Sequence, residues 1–226
     1  MLRNSLLWVL LVLVLLLGAA SWFGHGKPTE VTDLPWQVER LPEGASRVFG
    51  VTLGRTTARE LDQRLHSVPR VALFESSNGH LSLEAYYGTL TLGMFEARLE
   101  VTLDASAGTL RAFAASAIAR QPTVTGAWRM ELTEQTVHEA LGLPIVGITY
   151  VPRVRYDVDL ALKSFGKPAT RIEVADGQTY WLYPDRGLAL LRHSDGRAML
   201  HYVAPSAFPA VRARIEGMAG DYAKRG

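Results

Sequence analysis

The chain has no cysteine. That absence excludes disulfides, thiolate nucleophiles, zinc ribbons and iron–sulfur ligation, and it removes any lipid-bearing cysteine behind a leader. Charge of one sign is scarce as a block. The formal net charge is +2, acids and bases are interleaved, and no Lys/Arg stripe marks a phosphate-binding face, so nucleic acid is not an expected partner. Reaction motifs are missing too: there is no Gly-x-Ser-x-Gly elbow, no Ser-x-x-Lys, no P-loop and no dinucleotide fingerprint. His25, His66, His80, His138, His193 and His201 never form His-x-His or His-Glu-x-x-His, so a metal site has no local support. Asp157 and Asp159 fit the positive end of a helix better than a cation. Neither a cofactor nor an enzymatic activity is expected. Glu84, Glu96 and Glu100 invite comparison with the carboxylate pair of a glycosidase, but on alternating strand positions they read more simply as a solvated sheet face.

What is present is a globular composition with one long apolar run. Leu6 to Phe23 carries eighteen residues without a charge, and at about 1.5 Å per residue it spans roughly 27 Å, close to the hydrocarbon thickness of a bilayer. Arg3 precedes it, and Trp8 and Trp22 sit near its ends, which orients the N-terminus inside. A cleaved secretory signal with Gly18-Ala19-Ala20 as its small-residue site fits the same stretch. The run's length and its continuation through Trp22 and Phe23 favour an uncleaved anchor. The expectation is a single-pass inner-membrane protein with its C-terminal region in the periplasm.

Behind residues 1–24, residues 25–46 read as a proline-containing tether with Trp36 as its docking point. Two segments of similar grammar follow, Val51–Leu103 and Ile148–Val203. In each, a short Val/Ile-Thr start leads to a helix, a proline falls just past its end, and strands follow, divided by Asn-Gly or Asp-Gly turns. Thr56 or Thr57 caps the first helix. In the second, Pro152 suits the first turn, Val154, Val158, Leu162 and Phe165 share a face, and Gly166 with Pro168 ends it. Between the two lie an Ala-rich helix over Leu110–Arg120 and a helix from Thr133 to Gly142. The expected fold is α+β: an N-terminal transmembrane helix, then two tandem repeats of helices packed on antiparallel sheet, residues 47–125 and 126–205, and a tail over 206–226.

The last hairpin is apolar on both sides. A two-residue turn at Asp195-Gly196 pairs Leu191 with Leu200 and Ala189 with Tyr202, and sends Leu188, Leu190, Met199 and Val203 to the opposite face, where a neighbouring sheet or a partner protein is needed. The same register puts His193 and His201 on opposite faces. On Thr179–Tyr183 the pleat separates Trp181, assigned to the core, from Tyr180, nearer a binding face. The candidate interface is therefore Tyr180, Leu188, Leu190, Met199 and Val203.

The second segment, with its helix, Phe165-Gly166-Lys167-Pro168, Asp176-Gly177, Tyr180-Trp181-Leu182-Tyr183 and a further hairpin, resembles the small outer-membrane lipoproteins of the BamE (SmpA/OmlA) type. These share an α/β arrangement with tandem-repeat β-lactamase inhibitor proteins. The present chain differs in having two repeats and no lipid-attachment cysteine. The resemblance implies helices on an antiparallel sheet and the binding of other proteins. The expected function is a membrane-anchored periplasmic binding or adaptor module for an envelope protein of unknown identity. A carrier of a lipid or other apolar ligand, or a hydrolase of envelope glycans, stands as the alternative.

Overall fold

A computed structural model describes residues 34–124, 126–155 and 158–224, all within one compact unit, Thr32–Gly226. Local signals place its helices well. Helix α1 (Ala58–Leu65) starts on a capping box: the Thr57 hydroxyl accepts from the Glu60 amide and the Glu60 carboxylate accepts from the Thr57 amide. Helices α2 (Ala107–Ala115) and α3 (Glu134–Leu141) start on Ser106 and Thr133, whose hydroxyls accept from the amides of Thr109 and Thr136. Helix α4 (Val158–Phe165) ends at Gly166, which adopts φ +75°. Helix α5 (Phe208–Ala223) occupies the segment expected to be a tail.

Strands β1 (Glu39–Arg40), β2 (Ser46–Val48) and β3 (Val51–Thr52) make a small sheet. The rest, among the described residues, form a single ten-stranded antiparallel sheet. In chain order they are β4 (Arg70–Glu75), β5 (Leu81–Leu92), β6 (Phe95–Leu103), β7 (Ala119–Pro122), β8 (Trp128–Glu131), β9 (Ile145–Pro152), β10 (Thr170–Ala175), β11 (Gln178–Tyr183), β12 (Leu188–His193) and β13 (Ala198–Val203). Their spatial order is β10-β11-β12-β13-β9-β6-β5-β4-β8-β7.

This overturns the tandem-repeat expectation. The two segments do not each own a sheet; they meet at β6 and β9, where Leu99 lies opposite Tyr150 and Glu100 opposite Thr149, and fuse into one. Burying both edges in this pairing removes two exposed ladders of unpaired backbone groups at once. Pro152 closes β9 opposite Ala97 instead of opening a helix, and Ala119 and Arg120 belong to edge strand β7 instead of the Ala-rich helix. The apolar run Leu6–Phe23 and the anchor expected there lie outside the described residues. Within those residues no helix is long and apolar enough to cross a membrane. The transmembrane and signal-anchor assignment, with its inner-membrane location, is corrected on that finding.

The two sheet faces are covered differently. On the first, α1 to α4 contribute Ala58, Leu61, Phe113, Ala140, Ala161 and Phe165 to a core that includes Leu73, Leu99, Tyr150, Leu190 and Tyr202. The expected tether joins this side: the Trp36 ring packs edge-on against Phe95 at 5.8 Å, and the Tyr202 hydroxyl donates to the Pro35 carbonyl at 2.7 Å. On the second face, α5 sets Phe208, Val211 and Ile215 onto Leu182, Ala189 and Val203. That helix covers only the half of the sheet built from the later strands. Among the described residues no buried apolar cluster covers the second face of β4, β5, β6, β7 and β8.

Candidate functional site

Hairpin register decides which expected interface residues reach a surface. The β12–β13 turn is a three-residue loop: the His193 amide donates to the Arg197 carbonyl, and Gly196 adopts φ +86°. The pairing therefore shifts by one, to Leu190 opposite Leu200 and Leu188 opposite Tyr202. As a result Leu188 and Leu190 are fully buried in the main core, and Val203 lies beneath α5. Tyr180 and Met199 instead line a small cavity between the sheet and α5. His193 and His201 occupy the same face, since Ala189 opposite His201 is four positions from His193 along β12.

A continuous cross-strand row on the second face runs Arg70, Tyr86, Glu100, Thr149, His201, Ala189. The neighbouring row runs Ala72, Glu84, Thr102, Gly147. Glu84 and Glu100 are thus diagonal neighbours on β5 and β6, within reach of each other across the ladder. Their side chains interact directly across that diagonal. Burial, reinforced by the Glu84 charge and by that interaction, pushes the Glu100 carboxyl up to about 7, with Arg98 pulling weakly the other way. Ser82 donates to the Glu84 carboxylate at 2.8 Å. Glu96 is elsewhere, at the far end of β6, paired with Arg153 at 3.5 Å.

The carboxyl pair forms the shared wall of two adjoining cavities. One, of about 280 Å³, lies on the open half and is lined by Arg70, Ala72, Phe74, Tyr86 and Arg129 besides the two acids. Its cause is Ala72: a methyl group on the central strand of this half, ringed by long side chains from β4, β5 and β8. The other, of about 190 Å³, runs under α5 toward Thr149, Tyr180, His201 and Arg214. His201 bonds Thr149 through Nδ1 and Oγ1 at 3.2 Å. Burial, assisted by the Arg214 charge, pulls this imidazole down to about 4, so it is neutral at pH 7. A broader trough of about 620 Å³ lies beside Trp36, Arg40, Phe49 and Arg186. Its Arg47 is already matched by Glu39 at 3.2 Å.

Among the described residues no group of three or more His, Asp or Glu side chains is arranged to hold a metal ion. Trp181 is core, 3% exposed, with Arg171 and Arg192 stacked over its ring at 4.2 and 4.9 Å. Comparison with known proteins adds no name: no family model, no curated protein and no solved structure matches the chain.

Proposed function

We propose that this protein is a binding module that docks a segment of a partner polypeptide on the open half of its second sheet face. The observation behind the proposal is the uneven covering of that face. Helix α5 seals one half with Phe208, Val211 and Ile215, while the other half presents a walled hollow with two aromatic rings, two guanidiniums and a carboxyl pair. Aromatic and arginine side chains around a recess are the composition that anchors protein interfaces.

The alternatives fit less well. An apolar carrier needs a dry cavity, whereas the space beneath α5 carries Glu84, Glu100, His201 and Arg214 in its wall. A retaining glycosidase separates its carboxyls by about 5 to 5.5 Å and an inverting one by more, to admit the sugar or a water between them. Glu84 and Glu100 instead stand side by side on the ladder diagonal, where the charge of one acts directly on the carboxyl of the other.

The test is a photo-crosslinking residue placed at Phe74, on the open face, or at Gln135, exposed on α3 against the opposite face. Cells carrying the first should yield a discrete adduct that disappears when Ala72→Leu fills the hollow. Adducts of equal yield from both positions, or an adduct at Phe74 that survives Ala72→Leu, would remove the open face as the docking surface.

A further inference from the structure

The charges around the hollow are unspent. Ion pairs form elsewhere on the surface, as between Arg120 and Glu75 at 2.6 Å or Arg212 and Glu216 at 2.7 Å. Yet among the described residues no ion pair within 4 Å joins Arg70 or Arg129 to a carboxylate, or Glu84 or Glu100 to a base. Arg70 is held only over the Tyr86 ring, 5.5 Å from its centroid. A purely anionic ligand in this hollow would meet the carboxyl pair, and a purely cationic one would meet the arginines. A ligand carrying both signs would match both walls.

Spacing sets how far apart those signs must lie. Glu84 and Glu100 sit on β5 and β6, Arg70 on β4 and Arg129 on β8, one to three strands away at about 4.8 Å per strand, and the long arginine side chains reach back into the hollow. Same-face side chains of an extended chain recur at about 6.7 Å, within that interval. Resting on the docking proposed above, we infer that the bound segment presents a basic side chain to Glu84 and Glu100 and, two residues away, an acidic one to Arg70 and Arg129.

The carboxyl pair also couples docking to protons. In the free protein one proton relieves the repulsion between two diagonal carboxylates. A lysine ammonium or arginine guanidinium relieves it equally and displaces that proton. Around the pair stand Arg70, Tyr86 and Arg129 on the open side, Glu131 in the row of Glu84 beyond Ala72, Arg98 along β6, Thr149 and His201 across β9 and β13, and Tyr180 and Arg214 beyond. None of the neighbouring bases is within ion-pair distance to take over the cation's role.

The experiment uses the full chain and end-blocked synthetic peptides with identical Thr/Val-rich flanks around Lys-Ala-Glu, Glu-Ala-Lys, Lys-Ala-Lys, Glu-Ala-Glu or Gln-Ala-Gln. Binding is read by calorimetry in two buffers of different ionisation enthalpy near pH 7. The better of the two mixed-charge orders should bind about tenfold tighter than any other peptide and should release about half a proton at pH 7, where the Glu100 carboxyl is half protonated. Glu100→Gln, checked for folding by its melt, should erase both the preference and the release. Arg129→Gln should weaken the mixed peptide toward Lys-Ala-Lys. Equal binding of all five peptides, abolished by Ala72→Leu, would overturn the charge assignment and leave the docking face standing. Tightest binding of Lys-Ala-Lys or Glu-Ala-Glu would overturn it as well. No binding of any peptide would overturn the assignment together with the docking of extended segments.

Discussion

Replacing Glu100 with glutamine should stabilise the protein above neutral pH, against the usual direction of a point substitution. The Glu100 carboxyl stands at about 7 in the fold against an ordinary 4.5. A displacement of that size corresponds to a differential free energy of about 3 kcal/mol between the protonated and ionised forms. Because the folded value is raised, the contribution is fully present below pH 4.5 and is lost as pH rises through about 7. Glutamine keeps the shape and the ability to donate to Glu84 but never ionises. The difference in stability between Glu100→Gln and the parent should therefore be small at pH 4 and grow to at most about 3 kcal/mol in favour of the variant by pH 8. For a chain of this size about 2 to 4 °C accompanies each kcal/mol, so melts at pH 8 should separate by up to about 6 to 12 °C. Parallel thermal melts of parent and variant from pH 4 to 9 read it directly, because the subtraction cancels every titrating group that does not interact with Glu100. A difference that does not change with pH, or a variant that melts below the parent at pH 8, would refute the buried carboxyl pair.

His201 should show the mirror image. Its folded value is depressed to about 4, so its contribution is present above pH 6.5 and lost as pH falls toward 4. His201→Gln should therefore gain on the parent by up to about 3 kcal/mol between pH 8 and pH 4, again by differential melts, and a gain at the alkaline end instead would contradict the burial of the imidazole. Trp181→Ala removes a ring 3% exposed and clasped by Arg171 and Arg192. It should cost about 3 to 5 kcal/mol, or about 6 to 20 °C, while Trp181→Phe costs less, and a fall below about 3 °C for the alanine variant would show that the ring is not part of the core.

Features written in a few consecutive residues were legible. The Thr57 and Thr133 caps, the Gly166 helix end and the alternation of Leu81, Leu83 and Ala85 with Ser82 and Glu84 all follow from local chemistry. What failed was non-local. Two stretches with the same grammar become one sheet because the β6 and β9 edges meet, and nothing near Leu99 or Tyr150 names its partner. The hairpin slipped by one because Asp-Gly serves two loop lengths, and Gly196 at φ +86° belongs to the longer one. Helix α5 was overlooked although Phe208, Val211 and Ile215 recur at helical spacing; Pro205 and Pro209 stand at its entry, where proline starts helices as readily as it ends them.

The carboxyl pair was closer to being readable than those failures suggest. A plain hairpin turning at Gly93-Met94 sets Leu92 opposite Phe95, as observed, and carried onward it would set Tyr86 opposite Val101 and Glu84 opposite Leu103. That pairing puts two polar-face residues against the driest positions of β6, a conflict between register and burial that only an extra residue resolves. The glycine between them is the place for it: Gly88 adopts φ +76°, the register slips between Tyr86 and Gly88, and the apolar parity of β5 switches from Leu83 and Ala85 to Leu90 and Leu92. Beyond the bulge Tyr86 faces Glu100 and Glu84 faces Thr102. The two acids then stand on the ladder diagonal, on one face, where both cannot remain ionised without repulsion. A strand whose hydrophobic parity changes at a glycine thus carries, in its own sequence, the reason that two glutamates distant along the chain meet on one face.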